Sequence, residues 1–298
     1  MDLGLFLPTM GPRGTTPNRV VAAARHAEAL GFESVWVVDQ LVAGTGVPLV
    51  DSTVALAAAA GATTRIRIGY GVLIVPLRPV VWVAKQAAAL QVVSGHRLLL
   101  GIGAGGDRHD ASWAAAAVDK RERGRRTDAA LAVLPDLIAG KPVELDGTTV
   151  ELAPGVPVPP ILVGGASEAA LARTVAHAQQ WLGLPLPRQE LRRVRDRLDA
   201  LAARAGRPPL GITGSAMVAL RDDPAVPDGD GLARTLTDPD GLFGMPPDAA
   251  DGMAATDQAA LADWLARWEE VGAERVVLTV AAGDWFRQAE LVAEAARA

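Results

Sequence analysis

Residues 63–106 read TTRIRIGYGVLIVPLRPVVWVAKQAAALQVVSGHRLLLGIGAGG, and this stretch decides the fold. It opens on a β-branched run, Arg65 to about Ile74, of the kind that fills a buried strand. Pro79 then stands where a helix can begin. Val80, Val83, Ala84, Ala87 and Leu90 recur at helical spacing and form one apolar face, and Ser94-Gly95 closes it. Arg97 to Ile102 is a second buried run, and it empties into the glycine-rich loop GIGAGGDRHD at 101–110. Strand, helix and strand in this order make a parallel βαβ unit.

The same rhythm extends in both directions. Upstream lies a run from Leu3 to Pro8, then Thr16 as N-cap with Pro17 at the first helical position. Val20, Val21, Ala24, Ala27 and Leu30 line that helix, and Gly31 ends it. Ser34 to Val38 is the next run, ending in Asp39, followed by an Ala-rich helix from about Asp51 to Thr63. Downstream, a helix spans about Arg121 to Leu137, and Asp146-Gly147 sits between two short runs as a β-hairpin turn. The fifth run, Ile161–Val163, leads through GGAS into a helix to about Gln179. The sixth run is Trp181–Leu184, and its helix, Pro187 to Ala205, carries an Arg-rich outer face that reads as solvated. The seventh run is Leu210–Leu220. A helix starting at Thr256-Asp257 keeps Trp264 and Trp268 on its core side, and Val276–Val280 is the eighth run, with a last helix near Phe286. The eight repeats predict a (β/α)8 TIM barrel forming one domain over residues 1–298, with a small hairpin insertion after helix 4 and a long insertion after strand 7. A doubly wound open sheet shares this local alternation. The insertion, 221–256, is rich in Pro, Gly, Asp and Ala and reads as a lid or a partly disordered segment.

Composition narrows the chemistry. Half of the 298 residues are hydrophobic and 21% are charged, which excludes a disordered chain. The net charge is −5 and the basic residues are scattered, so no nucleic-acid footprint is present. Cysteine is absent, which removes disulfides, thiolate nucleophiles and zinc–thiolate sites. The four histidines lack metal-ligand spacing, and there is no P-loop and no GxSxG. No apolar run reaches the roughly 18 residues of a membrane span, and MDLGLFLPTM has no basic n-region. A soluble, cytoplasmic, globular protein with no metal site is the expectation.

In a barrel the chemistry gathers at the C-terminal strand ends. Gly101 to Gly106 matches G-x-G-x-x-G, but it follows the fourth run and no acid ends a strand about 20 residues on, so a dinucleotide reading has poor context. The alternatives are glycines that let a flat ligand approach the backbone, or a flexible loop. Gly164-Gly165-Ala166-Ser167 opens a helix and offers an anion site, or a simple N-cap by Ser167. Asp39 ends a buried run and needs a hydrogen-bond partner, either ligand or protein. Gln40 can donate and accept but exchanges no proton near neutrality. His109 lies in the fourth loop and is a candidate for proton exchange near neutrality, or is merely exposed. Trp285 follows the eighth run and could border a pocket.

Taken together, LGLFLPTMG at 3–11, AEALGFESVWVVDQ at 27–40, the 63–106 stretch, RGRRTDAALAVLPDLIAGKPVELDG at 123–147 and PPILVGGASEAALAR at 159–173 resemble the luciferase-like monooxygenase superfamily. The resemblance is closest to its branch of probable coenzyme F420-dependent oxidoreductases. It implies a TIM barrel, usually a homodimer, with its cofactor at the C-terminal mouth. It implies a non-proline cis peptide at Gly71-Val72, against which the ring packs. It implies Asp39 near the ring's polar edge, Gly103, Ala104 and Gly105 as backbone bordering the cofactor, and Gly164, Gly165 and Ala166 around its phosphate. Two departures stand out: Gln40 replaces the family's usual His, and Gly106, followed by Asp107, replaces the Glu of related sugar-phosphate dehydrogenases. The expectation is hydride transfer between F420 and a small organic substrate, with Gln40 orienting the substrate and His109 or Asp107 exchanging the proton. A reduced-FMN monooxygenase on the same scaffold and a non-catalytic cofactor-binding barrel are the alternatives.

Overall fold

Strands that are apolar on both faces need cover on both faces, and the sheet provides one of them by closing on itself. A computed structural model describes residues 1–44, 46–106 and 110–297. Eight parallel strands form the barrel: β1 (Asp2–Phe6), β2 (Ser34–Val37), β3 (Arg67–Tyr70), β4 (Leu98–Gly103), β5 (Ile161–Gly164), β6 (Gln180–Leu182), β7 (Gly211–Val218) and β8 (Arg275–Val280). Each pairs with its successor, and β8 pairs back onto β1 through Asp2 opposite Arg275 and Gly4 opposite Val277. The closed ring excludes the open doubly wound sheet.

The outer cover is eight helices: α1 (Val20–Leu30), α2 (Ser52–Ala62), α3 (Val80–Ser94), α4 (Arg123–Ile138), α5 (Glu168–His177), α6 (Arg188–Arg204), α7 (Gln258–Glu270) and α8 (Trp285–Ala295). Asp51, Ser167, Asp257 and Asp284 cap α2, α5, α7 and α8 with their side chains. The hairpin is antiparallel, Val143–Leu145 against Thr148–Val150. Helix α1 starts at Val20, later than Thr16-Pro17 suggested. The reason lies in the preceding loop: the Thr15 hydroxyl donates to Pro12 O, Gly11 N–H to Pro48 O, and Met10 bridges Leu49, so this segment is turned over the second loop.

Inside the barrel, one indole takes the room that several aliphatic side chains usually share. Trp36 is fully buried and its Nε1 donates to Ser34 Oγ at 2.8 Å. Gly4 and Gly69 make space for it; a Cβ on Gly69 would stand 2.5 Å from the ring. Leu99, Leu162, Leu182 and Val277 surround the indole, and Phe6 and Val72 lie partly exposed in the same cluster. At the opposite end the buried Arg275 donates to Glu33 and to Thr213, closing the barrel floor.

Residues 221–256 fold. They contain helices Gly229–Thr237 and Pro247–Ala250 and a short strand, Ala254–Ala255, that extends the sheet beside Met217 and Val218 of β7. Leu232, Leu236 and Ala250 bury a small core of their own against Met217, Ala219 and Ala281, at the C-terminal ends of β7 and β8. The root of the segment is fixed by Gln288, whose side chain bonds both backbone groups of Leu220. Among the described residues no helix is long and apolar enough to cross a membrane.

Candidate active site

The mouth is organised by the exit of β3. The peptide bond between Gly71 and Val72 is cis. The end of β2 holds the chain on either side of it: Gly71 N–H donates to Val37 O at 2.9 Å, and Ile74 N–H donates to Asp39 Oδ2 at 2.9 Å. Leu73–Ile74 then pairs with Ile102 and Gly103 of β4. Between these fixed points the Val72 side chain projects into a cradle of glycines. A Cβ on Gly103 would lie 2.4 Å from Val72 Cγ2, and one on Gly164 would lie 2.8 Å from Cγ1. Gly101 faces the Tyr70 carbonyl at a distance no side chain tolerates. Gly101 and Gly103 of GIGAGG thus serve the approach of the neighbouring chain at Tyr70 and Val72, a use that needs no dinucleotide fold.

Asp39 has a different position from the one expected of a ring contact. Its carboxylate is buried and all its acceptors face protein: Ser52 Oγ at 2.7 Å, Ile74 N–H, and both Arg78 Nη atoms at 2.7 Å each. Burial works against the Arg78 charge, but the hydrogen bonds and charge of Asp39 outweigh it and hold the guanidinium above its ordinary pKa. Beside this pair, Tyr70 OH and Thr53 share a hydrogen bond at 2.9 Å, and burial pushes the phenol above its ordinary value. Gln40 is half-buried and forms no hydrogen bond to a described residue, so its amide is available to a ligand.

The remaining rim comes from β4, β5 and β8. Ala104 and Gly105 are half-buried, and Gly105 adopts φ +74°, with Trp113 and Ile74 packed against the place where a side chain would begin. Gly165 adopts φ +107° and its carbonyl accepts from Trp181 Nε1. Ser167 Oγ takes Ala170 N–H, which leaves the first-turn N–H groups of Glu168 and Ala169 open at the positive end of a ten-residue helix. Ala166 is half-buried beside them. Trp285 is buried rather than lining a cavity, because its Nε1 is anchored to Phe6 O at 2.8 Å. Asp107 and His109 lie outside the described residues. Among the described residues no cluster of His, Asp and Glu could hold a metal.

The structure therefore gathers Asp39, Gly71, Val72, Gly103 and Gly164 around one patch, with Gln40 following Asp39 in the chain. Sequence reasoning missed Ser52 and Arg78. The signal was present: a carboxylate ending a buried strand requires a cationic partner, and Arg78 closes the apolar run IVPLR at 74–78.

Residues 1–298 match the family described as luciferase-like monooxygenase. The chain belongs to that family. An uncharacterized protein of Mycobacterium tuberculosis is 31% identical over 212 residues, 63% of this chain and 72% of that one. Among solved structures, an F420-dependent secondary alcohol dehydrogenase in complex with an F420–acetone adduct superposes with TM-score 0.81 at 18% identity, covering 99% of this chain and 97% of that one. The oxygenating constituent of 3,6-diketocamphane monooxygenase from Pseudomonas putida, in complex with FMN, gives TM-score 0.78 at 19% identity, with 99% and 97% coverage. At these identities the structural likeness speaks to the fold. Of these two neighbours, one is a dehydrogenase and the other a monooxygenase.

Proposed function

We propose that this luciferase-like protein is an oxidoreductase that binds the deazaflavin coenzyme F420 across the barrel mouth and exchanges hydride with a small organic substrate. The observation that carries the reading is the Val72 shelf, an apolar, part-exposed surface set in glycines and fixed on both sides by β2. Such a surface fits one face of a flat heterocycle, and glycine on two neighbouring strands gives Val72 the room to lie there. Val72, Gly103, Ala104 and Gly105 would border the ring. Gly164, Gly165 and Ala166, with the open first turn of α5, would receive an anionic tail. When bound, the coenzyme supplies the hydride carrier; the protein orients it and excludes water. Gln40 would hold a substrate carbonyl or hydroxyl by its free amide, and Asp107 or His109 would exchange the proton.

A reduced-FMN monooxygenase uses the same shelf and is the second reading, supported by the likeness to the FMN complex. A barrel that binds a ring without catalysis is the third. Fluorescence titration with F420 and with FMN separates them. F420 binding with anaerobic turnover supports the first, and an obligate need for O2 and reduced FMN supports the second. Absence of binding by either ring at about 100 µM would defeat both.

The expected homodimer has a candidate face. The outer surfaces of α2 and α3 expose Val54, Trp82, Val92 and Val93, each more than half exposed. Helix α2 carries no charge, and Lys85, the one charge on α3, is turned onto Ala153 O. A neutral apolar surface of this kind suits a two-fold contact with a second copy.

A further inference from the structure

We infer that Asp39 and Arg78 are positioning residues for the ring site, acting through the backbone of Ile74 and touching neither ring nor substrate; the inference rests on the cofactor reading above.

Three observations support it. The Asp39 side chain is 1% exposed, and its oxygens are occupied by Ser52 Oγ, Ile74 N–H and the two Arg78 nitrogens, so no lone pair is left for a ligand without dismantling the pair. Second, Ile74 is held at both backbone groups from this one centre: its N–H by Asp39 at 2.9 Å, its carbonyl by Arg78 Nη1 at 3.4 Å. Third, Ile74 is the second residue after Val72, and it pairs with Gly103, which is half of the cradle in which Val72 rests. The height of the shelf is set from below by the glycines and from its downstream side by this ion pair. A bidentate guanidinium–carboxylate pair fixes direction as well as distance, and a hydrogen bond donated to a charged acceptor is stronger than one to a neutral acceptor. A buried carboxylate at the end of β2 is thereby explained without a ligand.

The pair differs from a merely structural one in what it controls. The network ties the end of β2 to Ser52 of α2 and to the segment after Val72, and Asp39, Ser52, Ile74 and Arg78 all lie outside the cluster that packs around Trp36. Loosening the pair should displace Val72 by a fraction of an ångström, harm ring binding, and leave the fold in place.

The test uses the full chain with F420 and FMN as probes, reading affinity by fluorescence and the absorption shift of the bound ring. Arg78→Met is expected to weaken binding on the order of tenfold and to reduce the absorption shift; because it leaves the buried Asp39 carboxylate unpaired it also lowers the thermal midpoint, and adding Asp39→Asn should return much of the midpoint while ring binding stays weak. Arg78→Lys should recover part of the affinity. Asp39→Asn combined with Arg78→Met should be no worse than the worse single change, because the two act as one unit. Should Asp39→Asn fail to fold, Arg78→Met and Arg78→Lys alone still decide, since Arg78 is the more exposed partner. Wild-type affinity and an unchanged absorption shift in Arg78→Met overturn the inference. Failure of the wild type to bind either ring overturns the cofactor reading first, and this one with it.

Discussion

Val72 rests against Gly103 so closely that a methyl group on the glycine would stand 2.4 Å from Val72 Cγ2. Gly103→Ala must therefore move the shelf. The expected outcome is a fall in stability of about 1–3 kcal/mol from overpacking, together with a larger loss of ring affinity. Adding Val72→Ala should return the stability, because the clash partner is removed. Denaturant melts and ring titrations of the two variants check this, and a double variant no more stable than Gly103→Ala would refute the cradle.

The barrel floor is one source of acid sensitivity. Burial alone would raise the Glu33 pKa, but the hydrogen bonds and charge of Arg275, with help from Ser34 and Arg67, outweigh it and hold Glu33 below its ordinary 4.5. A lowered carboxylate pKa stabilises the fold at pH values above the unfolded value and loses that contribution as pH falls through the folded one. Stability measured against pH should decline below about pH 4.5, and Glu33→Gln should flatten that decline. At neutral pH the same variant strands the charge of Arg275, which is 3% exposed, at a cost of about 3–5 kcal/mol.

How much of this was readable beforehand follows from where the signal sits. The eight strands were legible because each is a contiguous apolar run, and the hairpin because Asp146-Gly147 favours positive φ, which both residues adopt. The start of α1 was not, since Thr16 and Pro17 obey local capping rules while Gly11 and Met10 are tied to the second loop by contacts more than 35 residues away in the chain. In the mouth, the positions of Gly71, Gly103 and Gly164 could be read from the family resemblance. Their use could not: the glycines accommodate Val72 and Tyr70, which only the register of β3 against β4 reveals. Asp39 was found but not its partner, because the pairing with Arg78 spans 39 positions and depends on the turn after the cis bond.

The folded insertion provides a third test. Leu236 is 2% exposed within the small core above β7. Leu236→Ala should cost about 2–5 kcal/mol locally, and because that core stands apart from the barrel core, the loss should show as faster proteolysis within 221–256 before global unfolding. Limited proteolysis followed by mass spectrometry reads it, and uniform loss of the whole chain would show that the two cores unfold together.

The α2–α3 face gives a fourth. Trp82→Asp places a charge at the side chain that is 64% exposed on that face. If two copies meet there, light scattering should report a monomer for the variant and a dimer for the wild type, with far-ultraviolet circular dichroism unchanged. A dimer in both would put the contact elsewhere.

Trp36 has one more use. Its indole is sealed from water and touches the same interior cluster as Val72, so any chromophore seated on the mouth has an ultraviolet antenna directly beneath it. Excitation captured by that ring drains into an occupying flavin or deazaflavin, dimming the native emission as the seat fills. The chain therefore carries its own label-free occupancy gauge, and Trp36→Phe measures the share of the dimming that passes through this indole rather than through the six other tryptophans.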